Sequence, residues 1–459
     1  MNFNYIQSTP LYEAFSELGK RIFLPEGIFY WSGRAKKEAD IIGTIGSAFG
    51  FERDFINGGS SDWLPCYINE ISEYTQLPIK EIVPYSSIGG LNETREIWKK
   101  WIISKSNYDK KKEADMFSRL EKFITNPIIT AGVTNGIFQC SSLFLNPGEY
   151  IVAPNKRWGN YDNIIAKFIG GKIQSFEFFK DQHFNHESLE SAIKEVAQAQ
   201  NKIVLILNFP NNPTGYMPSR TEVKEIVELL REQQQIQKKP FIVLVDDAYE
   251  PYVYTENAAN RSIFYELHQL EEDIIPIKLD GITKELLVYG GRIGFITYGL
   301  KPSWVKDDNE LAALKSEINN KLEGFTRATI SNCNSFYQRV TQRIFTEKGT
   351  EQILNSRRQV RDLLKARYER INSDLAKINN PNISVDPNSG GFFLFVNLNQ
   401  DKIKAAEFAD HLLKNYKVGI IPIEKPNENV NGIRIAYCSI DLGDIPELVK
   451  RINLALNDF

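Results

Sequence analysis

Between about residue 126 and residue 300, short apolar and β-branched runs alternate with longer stretches that carry apolar residues at helical spacing. Such alternation is typical of a doubly wound α/β unit, in which crossover helices join the strands of a parallel sheet. The pattern predicts seven strands, at residues 127–130, 149–152, 172–176, 202–208, 241–246, 274–278 and 292–298. It predicts helices between them at residues 134–145, 187–199 and 219–235.

The pattern changes after Gly299. Two long, charged amphipathic helices are predicted over about 302–323 and 335–378, with no strand pattern between them. Mixed strand and helix signals then follow, at residues 391–398, 402–415, 432–437 and 444–456. These signals predict a smaller α+β domain. The expected organisation is an N-terminal segment that contributes to the small domain, a large domain and the small C-terminal domain, at residues 1–65, 66–330 and 331–459.

Composition and charge narrow the class of protein. The 459 residues are 42% hydrophobic and 25% charged, as in ordinary globular chains. Acidic residues number 58 and basic residues 55, a net charge of −3, so no general electrostatic attraction to nucleic acid or to anionic membranes is expected. No apolar run approaches the roughly 18 residues of a membrane span, and the N-terminus lacks the pattern of a secretory signal. A cytoplasmic location without membrane attachment is therefore the expectation.

Cysteine and histidine are both sparse. The four cysteines are far apart in sequence, which favours free, mostly buried thiols over a disulfide framework. Among the four histidines, His183 and His186 are three residues apart, but no third ligand stands at the usual spacing for a metal site. We therefore expect no metal, and the sequence also lacks the nucleophile motif of a histidine-based triad. Catalysis must depend on other groups.

Polar residues follow two of the predicted strands directly. Strand 202–208 leads into Asn208–Gly215, whose Asn-Pro and Thr-Gly steps by themselves indicate only a tight turn. Strand 241–246 ends in a carboxylate at Asp246, with a phenol three residues on at Tyr249. Ligands of doubly wound sheets bind outside the carboxyl ends of the strands. These side chains are therefore candidates for a binding or catalytic site.

A set of short motifs, each weak alone, becomes specific when taken in order. Asn-Pro-Thr-Gly at 212–215 and Asp-x-Ala-Tyr at 246–249 are followed by Lys284, and Arg292 stands eight residues further on. The set resembles the fold-type I, class I/II aminotransferases, which use pyridoxal 5′-phosphate (PLP), over roughly residues 40–440. The resemblance implies the PLP-dependent transferase fold, with a large, mostly parallel-sheet α/β/α domain and a smaller α+β domain. It also implies transfer of an amino group from an L-amino acid to a 2-oxo acid.

The resemblance extends to residues that would hold the cofactor phosphate. Val133 and Thr134 open a helix directly after a strand, where backbone N–H groups and the threonine hydroxyl are suited to bind a phosphate. Arg292 is similar to the family's phosphate-binding arginine. Tyr85 lies in a segment that resembles the one from which a tyrosine reaches the phosphate of the neighbouring subunit. A homodimer with shared active sites is therefore implied.

By the same resemblance, Lys284 would form the Schiff base with PLP and later act as general base. Asp246, two residues before Ala248 as in the family's pattern, is preferred to Asp247 as the carboxylate that keeps the pyridine nitrogen protonated. The alternative role of either aspartate is to cap a helix or loop. Asn212 and Tyr249 would hydrogen-bond the 3-oxygen of the ring.

Further segments are similar to the family's stacking and substrate-binding residues. Trp158 would stack on the pyridine, and Gly46, a weaker match, would touch the substrate carboxylate through its backbone. Arg434 would pair with the α-carboxylate. Arg327 resembles the arginine that binds a distal carboxylate, which suits dicarboxylic substrates. The alternative is an arginine that only satisfies the end of a helix. Aromatic amino acids stay open as donors. Gly281 departs from the family, which often carries serine there for the phosphate.

Two alternatives to a transaminase share these motifs. The same lysine, aspartate and arginine set serves other PLP reactions on this scaffold, such as β-elimination and decarboxylation. A non-catalytic PLP-binding regulatory module is the second alternative. Family regulators of that kind carry an N-terminal DNA-binding helix-turn-helix domain, and no such motif stands out before Tyr85.

Overall fold

A computed structural model describes residues 4–24 and 27–459, and its centre is a seven-stranded sheet. The strands lie across the sheet in the order Ile128–Thr130, Gly294–Tyr298, Ile274–Gly281, Phe241–Asp246, Ile203–Asn208, Tyr150–Pro154 and Lys172–Phe176. Gly294–Tyr298 is antiparallel to both of its neighbours, and the other neighbouring strands are paired in parallel. The expected α/β fold with a mostly parallel sheet is therefore confirmed, with Gly294–Tyr298 as the exception.

Helices cover both faces of this sheet because its central strands are apolar on both sides. In Ile203–Asn208 and Phe241–Asp246 every residue is buried. Alternate residues of these strands belong to two different apolar clusters. One cluster includes the helix Val133–Phe144, and the other includes His186–Ala199 and Arg220–Gln237. The result is an α/β/α sandwich.

A second, four-stranded antiparallel sheet carries the C-terminal part of the chain. Its order is Ile383–Val385, Leu394–Leu398, Val430–Ile435 and Ile421–Lys425. The helix Ala405–Tyr416 packs against it and against Ile445–Leu456. From the N-terminal part, helix Ile28–Glu38 packs on the strand Val418–Gly419, and Ile41–Ile42 pairs with that strand in parallel. The limits of the domains themselves stay a prediction.

The two long helices differ from their predicted bounds. The first is Asp308–Thr329, because the side chain of Asp307 accepts hydrogen bonds from two backbone N–H groups and fixes its start. The second is divided into Ser335–Arg343, a π-helical turn at Ile344–Lys348, and Gly349–Leu375. Gly349 has a φ of +76°, a conformation that favours glycine, and it marks the last division. The predictions of continuous helices at 302–323 and 335–378 are therefore wrong in detail.

The remaining elements are short apart from the helices Asn92–Lys105 and Ala114–Lys122. The other α-helices are Asn4–Gln7, Pro10–Ala14, Glu17–Arg21, Glu52–Phe55, Glu70–Glu73, Ile79–Ile82, Asn160–Asp162, Ile263–His268 and Ile282–Glu285, with a π-helical turn at Asn163–Ile169 and 3₁₀ turns at Pro302–Trp304, Pro426–Glu428 and Tyr437–Ser439. Two further strand pairs are Phe49–Phe51 with Trp63–Pro65 and Phe179–Lys180 with His183–Phe184. All four cysteines are buried and free, as predicted.

No helix in residues 4–24 and 27–459 has the length and apolar character needed to cross a membrane. The same residues contain no group of three or more histidine, cysteine, aspartate or glutamate side chains placed to hold a metal ion.

Candidate active site

The carboxyl ends of the central strands open into a cavity of about 260 Å³. It is lined by Ile28, Gly46, Val133, Thr134, Trp158, Asn208, Asn212, Asp246, Ala248, Tyr249, Gly281, Thr283, Lys284, Arg292, Phe393 and Arg434. Every predicted site residue except Tyr85 and Arg327 is in this set. A larger cavity of about 800 Å³ lies elsewhere, and none of the predicted site residues lines it.

Lys284 lies on the short helix Ile282–Glu285, which directly follows the strand Ile274–Gly281. Its Nζ donates a hydrogen bond to the backbone oxygen of Gly46. The pKa of this amine is lowered to about 8, mainly by desolvation, with a smaller lowering by the positive charges of Arg292 and Arg434 and an opposing effect of Cys438. A substantial fraction of the amine is therefore neutral near physiological pH, as a nucleophile or base requires.

Gly281 stands where the similar family often carries serine, and the replacement has a steric reason. A Cβ atom at this position would lie 2.6 Å from the backbone oxygen of Ile293 and 2.9 Å from Cα of Gly294. Serine cannot be accommodated there unless the neighbouring strand moves. Thr283, two residues on, lines the cavity and brings a hydroxyl to this part of the site.

Asp246 ends a central strand and is 4% exposed. The hydroxyl of Tyr161 donates a 2.5 Å hydrogen bond to its Oδ2, and the backbone N–H of Ala248 donates to Oδ1 at 3.2 Å. Burial raises the pKa of Asp246 to about 6, although both hydrogen bonds lower it. A cation bound beside this carboxylate would lower its pKa again and would itself be stabilised.

Asp247, the other aspartate of the pair, belongs to a different environment. It forms a buried ion pair with Lys278 and accepts a 2.7 Å hydrogen bond from the hydroxyl of Ser262. It does not line the cavity. Of the two aspartates, Asp246 is therefore the one placed to meet a ligand.

Gly132, Val133, Thr134 and Arg292 form an anion cradle beside the lysine. The helix Val133–Phe144 begins here, and its first N–H groups have no partner within the helix. Gly132 has a φ of +83°, and a Cβ on it would lie 2.4 Å from Nη2 of Arg292, so only glycine lets the guanidinium lie over the helix N-terminus. A guanidinium above a helix N-terminus is suited to a phosphate.

Arg434 lies on the strand Val430–Ile435 and is 3% exposed. Its Nη2 donates to the backbone oxygen of Thr44 at 3.0 Å, and its Nη1 donates to Oδ1 of Asn212 at 3.4 Å. The guanidinium carbon lies 4.3 Å from the centre of the Phe393 ring. Its Nε is buried and has no hydrogen-bond partner among the described residues. A buried guanidinium with a free N–H is suited to a carboxylate ligand.

The Asn-Pro-Thr-Gly segment is held to the strand that ends in Asp246. Nδ2 of Asn208 donates to the backbone oxygen of Asp246 at 2.8 Å, and Oδ1 of Asn208 accepts from the backbone N–H of Asn212 at 2.8 Å. Asn212 and Tyr249 are 7% and 8% exposed. Both therefore present polar atoms in a largely water-free part of the cavity.

Tyr85 and Arg327 are the predicted site residues that the cavity of their own chain does not include. Tyr85 is 91% exposed and lies close to Val83, which is 71% exposed. Arg327 is exposed near the end of the helix Asp308–Thr329, and its Nη1 donates to the hydroxyl of Ser331 at 2.7 Å.

Several residues of the site carry no assigned role in the sequence-based prediction. Tyr161 stands in a segment singled out for its neighbour Trp158, and Asn208 ends a predicted strand, so both had a local signal. Ile28 and Phe393 reach the cavity from distant parts of the chain, and no local pattern distinguishes them from ordinary core residues.

The residues present fit PLP. The amine of Lys284 faces the same cavity as the carboxylate of Asp246, as an aldehyde and a pyridine nitrogen would require. The anion cradle would hold the phosphate, and Arg434, with its unpartnered Nε, would hold the carboxylate of an amino acid. Fold and site together define a PLP-dependent enzyme.

Comparison with known proteins identifies the family. Residues 112–452 match the family of class I and II aminotransferases, and the chain belongs to this family. An aspartate aminotransferase from Bacillus sp. (strain YM-2) is 24% identical over 381 residues, which cover 80% of this chain and 83% of that protein. The chain is a PLP-dependent aminotransferase, which transfers an amino group from an amino acid to a 2-oxo acid.

Solved structures share the fold. An aminotransferase from Anaerococcus prevotii has a TM-score of 0.80 at 21% identity, covering 97% of this chain and 99% of that one. A Pyrococcus horikoshii kynurenine aminotransferase in complex with PMP has a TM-score of 0.75 at 20% identity, covering 97% of both chains. The expected PLP-dependent transferase fold is confirmed, and the family and its members favour amino-group transfer over the elimination, decarboxylation and regulatory alternatives.

Proposed function

We propose that this aminotransferase acts on acidic or aromatic L-amino acids, with Lys284 as its catalytic lysine, and works as a homodimer. The observation that carries the assignment of Lys284 is its amine of lowered pKa, in one cavity with Asp246, Arg434 and the anion cradle. Among the residues that the structure describes, no other lysine lines this cavity.

When bound, PLP supplies an aldehyde that takes up the amino group and a ring that accepts electrons from the substrate Cα. The chain's own part is to hold and move protons. Asp246 would accept a hydrogen bond from the protonated ring nitrogen, while Asn212 and Tyr249 would donate to the 3-oxygen. Lys284 then moves the proton at the substrate Cα, because its amine is neutral at a pH where an ordinary lysine is charged.

Arg434 would bind the α-carboxylate of every substrate. The backbone oxygen of Thr44 and the ring of Phe393 hold its guanidinium in place before substrate arrives. Preorganisation of this kind favours affinity because little side-chain entropy is then lost on binding. Gly46 lies against Phe393, and a Cβ on it would come within 3.2 Å of that ring, so glycine keeps this wall open.

Two features support acidic and aromatic side chains as the preferred substrates. Ile28, Trp158 and Phe393 give the cavity an apolar wall that suits an aromatic ring. Arg327 would read a distal carboxylate, and since it is not part of its own chain's cavity it could do so only in the site of a second subunit. An aspartate and a kynurenine aminotransferase among the similar proteins are consistent with both preferences.

An exposed apolar surface supports the homodimer. Ile79, Val83 and Tyr85 are 71%, 71% and 91% exposed and lie close together in sequence. Clusters of apolar side chains that are this exposed to solvent commonly mark contact surfaces between proteins. Next to the anion cradle, an open cavity of about 380 Å³ bordered by Thr134 and Arg292 leaves room for a side chain from outside, and the partner's Tyr85 would enter there.

The four free, buried thiols are consistent with the reducing interior of a cell, and we propose a cytoplasmic location on that ground. Fractionation of the native source, followed by activity assay of each fraction, tests this part of the proposal.

The experiment that tests the proposed reaction is a half-reaction. The protein is purified with PLP and mixed with each of a panel of amino acids, without any 2-oxo acid acceptor. We expect acidic or aromatic donors to bleach the visible absorbance and to release one 2-oxo acid per subunit. Release of ammonia or carbon dioxide instead would contradict amino-group transfer, and a best donor with a small aliphatic side chain would contradict the substrate preference.

A further inference from the structure

One face of the helix Asn92–Lys105 presents three hydrogen-bond donors to the turn that carries Lys284. Trp98, Trp101 and Lys105 are spaced three and four residues apart, which places them on a single face of the helix. The two tryptophans are 0% and 2% exposed, and the side chain of Lys105 is 10% exposed. We call these three residues the donor face.

The carboxylates that flank the lysine turn on either side are acceptors of this face, and Lys105 also donates to Glu250 at 2.7 Å. Nε1 of Trp98 donates to Asp280 at 2.9 Å, and Nε1 of Trp101 donates to Glu285 at 3.0 Å. Nζ of Lys105 donates to both carboxylates, at 3.3 Å to Asp280 and 3.1 Å to Glu285. The donor face therefore holds the chain four residues before Lys284 and one residue after it.

The long helix Gly349–Leu375 adds a fourth donor. Nη1 of Arg357 donates to the carboxylate of Glu285 and, at 3.5 Å, to its backbone oxygen. The hydroxyl of Tyr252 donates to the backbone oxygen of Lys284 itself at 2.9 Å. Hydrogen bonds thus hold the backbone and side chains on both sides of Lys284, while its amine points into the cavity.

The charges of this cluster are all buried and must be matched. Burial by itself would lower the pKa of Lys105, but the surrounding carboxylates raise it above its ordinary value, so its amine stays charged. The pKa of Glu285 is lowered by Lys105 and Arg357 against the effect of burial. Apolar residues of similar volume often stabilise a core as well as buried ion pairs do. A buried charge cluster beside the catalytic lysine therefore suggests a role other than stability.

We propose that the donor face positions Lys284 for proton transfer by fixing Asp280 and Glu285. The inference rests on the proposed function of Lys284 as the catalytic lysine. Trp98, Trp101 and Lys105 are positioning residues, because they act through the two carboxylates and do not line the cavity. Displacement of a general base by a fraction of an ångström slows proton transfer strongly but leaves substrate binding to Arg434 intact.

The test compares two buried lysines in the holoenzyme. Lys105→Met removes the shared donor of the face. Lys301→Met is the matched control, since Lys301 is 0% exposed and donates only to backbone oxygens distant in sequence from the lysine turn. We expect Lys105→Met to lower kcat about 10- to 100-fold with KM for the donor within about twofold. Lys301→Met lowers the thermal midpoint but leaves kcat near that of the parent enzyme.

A double-variant cycle separates positioning from general damage. Because Lys105 acts through Glu285 in part, the losses in kcat caused by Lys105→Met and Glu285→Gln are expected to be less than multiplicative when combined. Trp101→Phe removes a single N–H from the face and leaves a smaller aromatic ring in its place, so it reports on the same effect if Lys105→Met does not fold.

An unchanged kcat in both Lys105→Met and Trp101→Phe would overturn the inference. Equal losses of kcat in Lys105→Met and Lys301→Met would also overturn it. So would losses of kcat that multiply fully when Lys105→Met and Glu285→Gln are combined. These outcomes are distinct from failure of the proposed function. That failure would appear as a missing visible band in the parent enzyme, or as persistence of the visible band in Lys284→Ala.

Discussion

The hydroxyl of Tyr161 donates a 2.5 Å hydrogen bond to Oδ2 of Asp246, and the tyrosine is 1% exposed. This bond is one of two that oppose the burial-driven rise in the pKa of the carboxyl group. Asp246 can favour a protonated ring nitrogen only while it is ionised. Tyr161 therefore supports the charge state on which the proposed chemistry depends.

Tyr161→Phe tests this dependence. Loss of the hydrogen bond removes an interaction that stabilises the ionised form, so the pKa of Asp246 rises. The acid limb of the kcat profile is then expected to move to higher pH, by on the order of one unit. A full pH–rate profile for a good donor checks the sign. An acid limb at the parent position, or one moved to lower pH, would contradict the role of Tyr161.

The pKa of Lys284 predicts how the apoenzyme takes up its cofactor. Only a neutral amine attacks an aldehyde, and desolvation lowers the pKa of this amine to about 8. The rate at which visible absorbance appears after mixing apoenzyme with PLP is expected to rise with pH and to level off above about 8. Stopped-flow measurement from pH 6 to pH 10 gives the midpoint. A midpoint near the ordinary lysine value of about 10.4 would contradict the lowered pKa.

Lys284→Ala is expected to abolish the visible band and to lower turnover by at least about 10³-fold, because it removes both the proposed anchor for the cofactor and the proposed base. Lys301→Ala, which removes another buried lysine, serves as the control and should keep both signals. Spectra and steady-state rates of the two purified variants make the comparison. Turnover by Lys284→Ala near the parent rate would show that Lys284 is not the catalytic lysine.

Arg434 and Arg327 should have separable effects on substrates. Arg434→Ala removes a guanidinium proposed to bind every α-carboxylate, so KM should rise on the order of 100-fold for acidic and aromatic donors alike. Arg327→Ala should weaken only the acidic donors. Kinetics with aspartate and phenylalanine distinguish the two variants. Equal losses for both donors in Arg327→Ala would show that Arg327 does not read a distal carboxylate.

The proposed homodimer with shared active sites predicts complementation between two defective subunits. Tyr85→Ala should weaken cofactor binding in the neighbouring site, while Lys284→Ala inactivates its own. Random exchange of the two variants forms hybrid dimers in which one site of two is intact, so activity should recover to about one quarter of the parent level. Assays before and after subunit exchange measure this recovery. Mixing without any gain in activity would contradict a tyrosine contributed across the interface.

The central strands were predictable from sequence because they are buried on both faces. Ile203–Asn208 and Phe241–Asp246 form continuous apolar runs bounded by polar residues, and their observed limits lie within one residue of the predicted ones. Helix ends were less predictable. The side chain of Asp307 caps the helix that follows it by accepting hydrogen bonds from the backbone. Such side-chain hydrogen bonds leave no mark in the hydrophobic periodicity of the sequence.

The cavity was predictable where polar residues directly follow apolar strands, as at Asp246 and just before Lys284. Such residues meet at one edge of a parallel sheet whatever the rest of the fold does. Phe393 and Ile28 could not be found in this way, since their place in the cavity depends on how the C-terminal sheet and the N-terminal helix pack against the large sheet. The carboxylates that bind the donor face were equally hidden, because the partners are about 180 residues apart.

The cavity is lined by residues from Ile28 to Arg434, a span of 407 of the 459 residues. A ribosome must therefore release the chain as far as Arg434 before the pocket can close around a ligand. Cofactor loading is consequently a post-translational event, and unloaded chains lack the stabilisation that a ligand bound only to the folded state provides. The supply of vitamin B6 should then influence how much of this protein survives proteolysis in the cell as well as how fast it works.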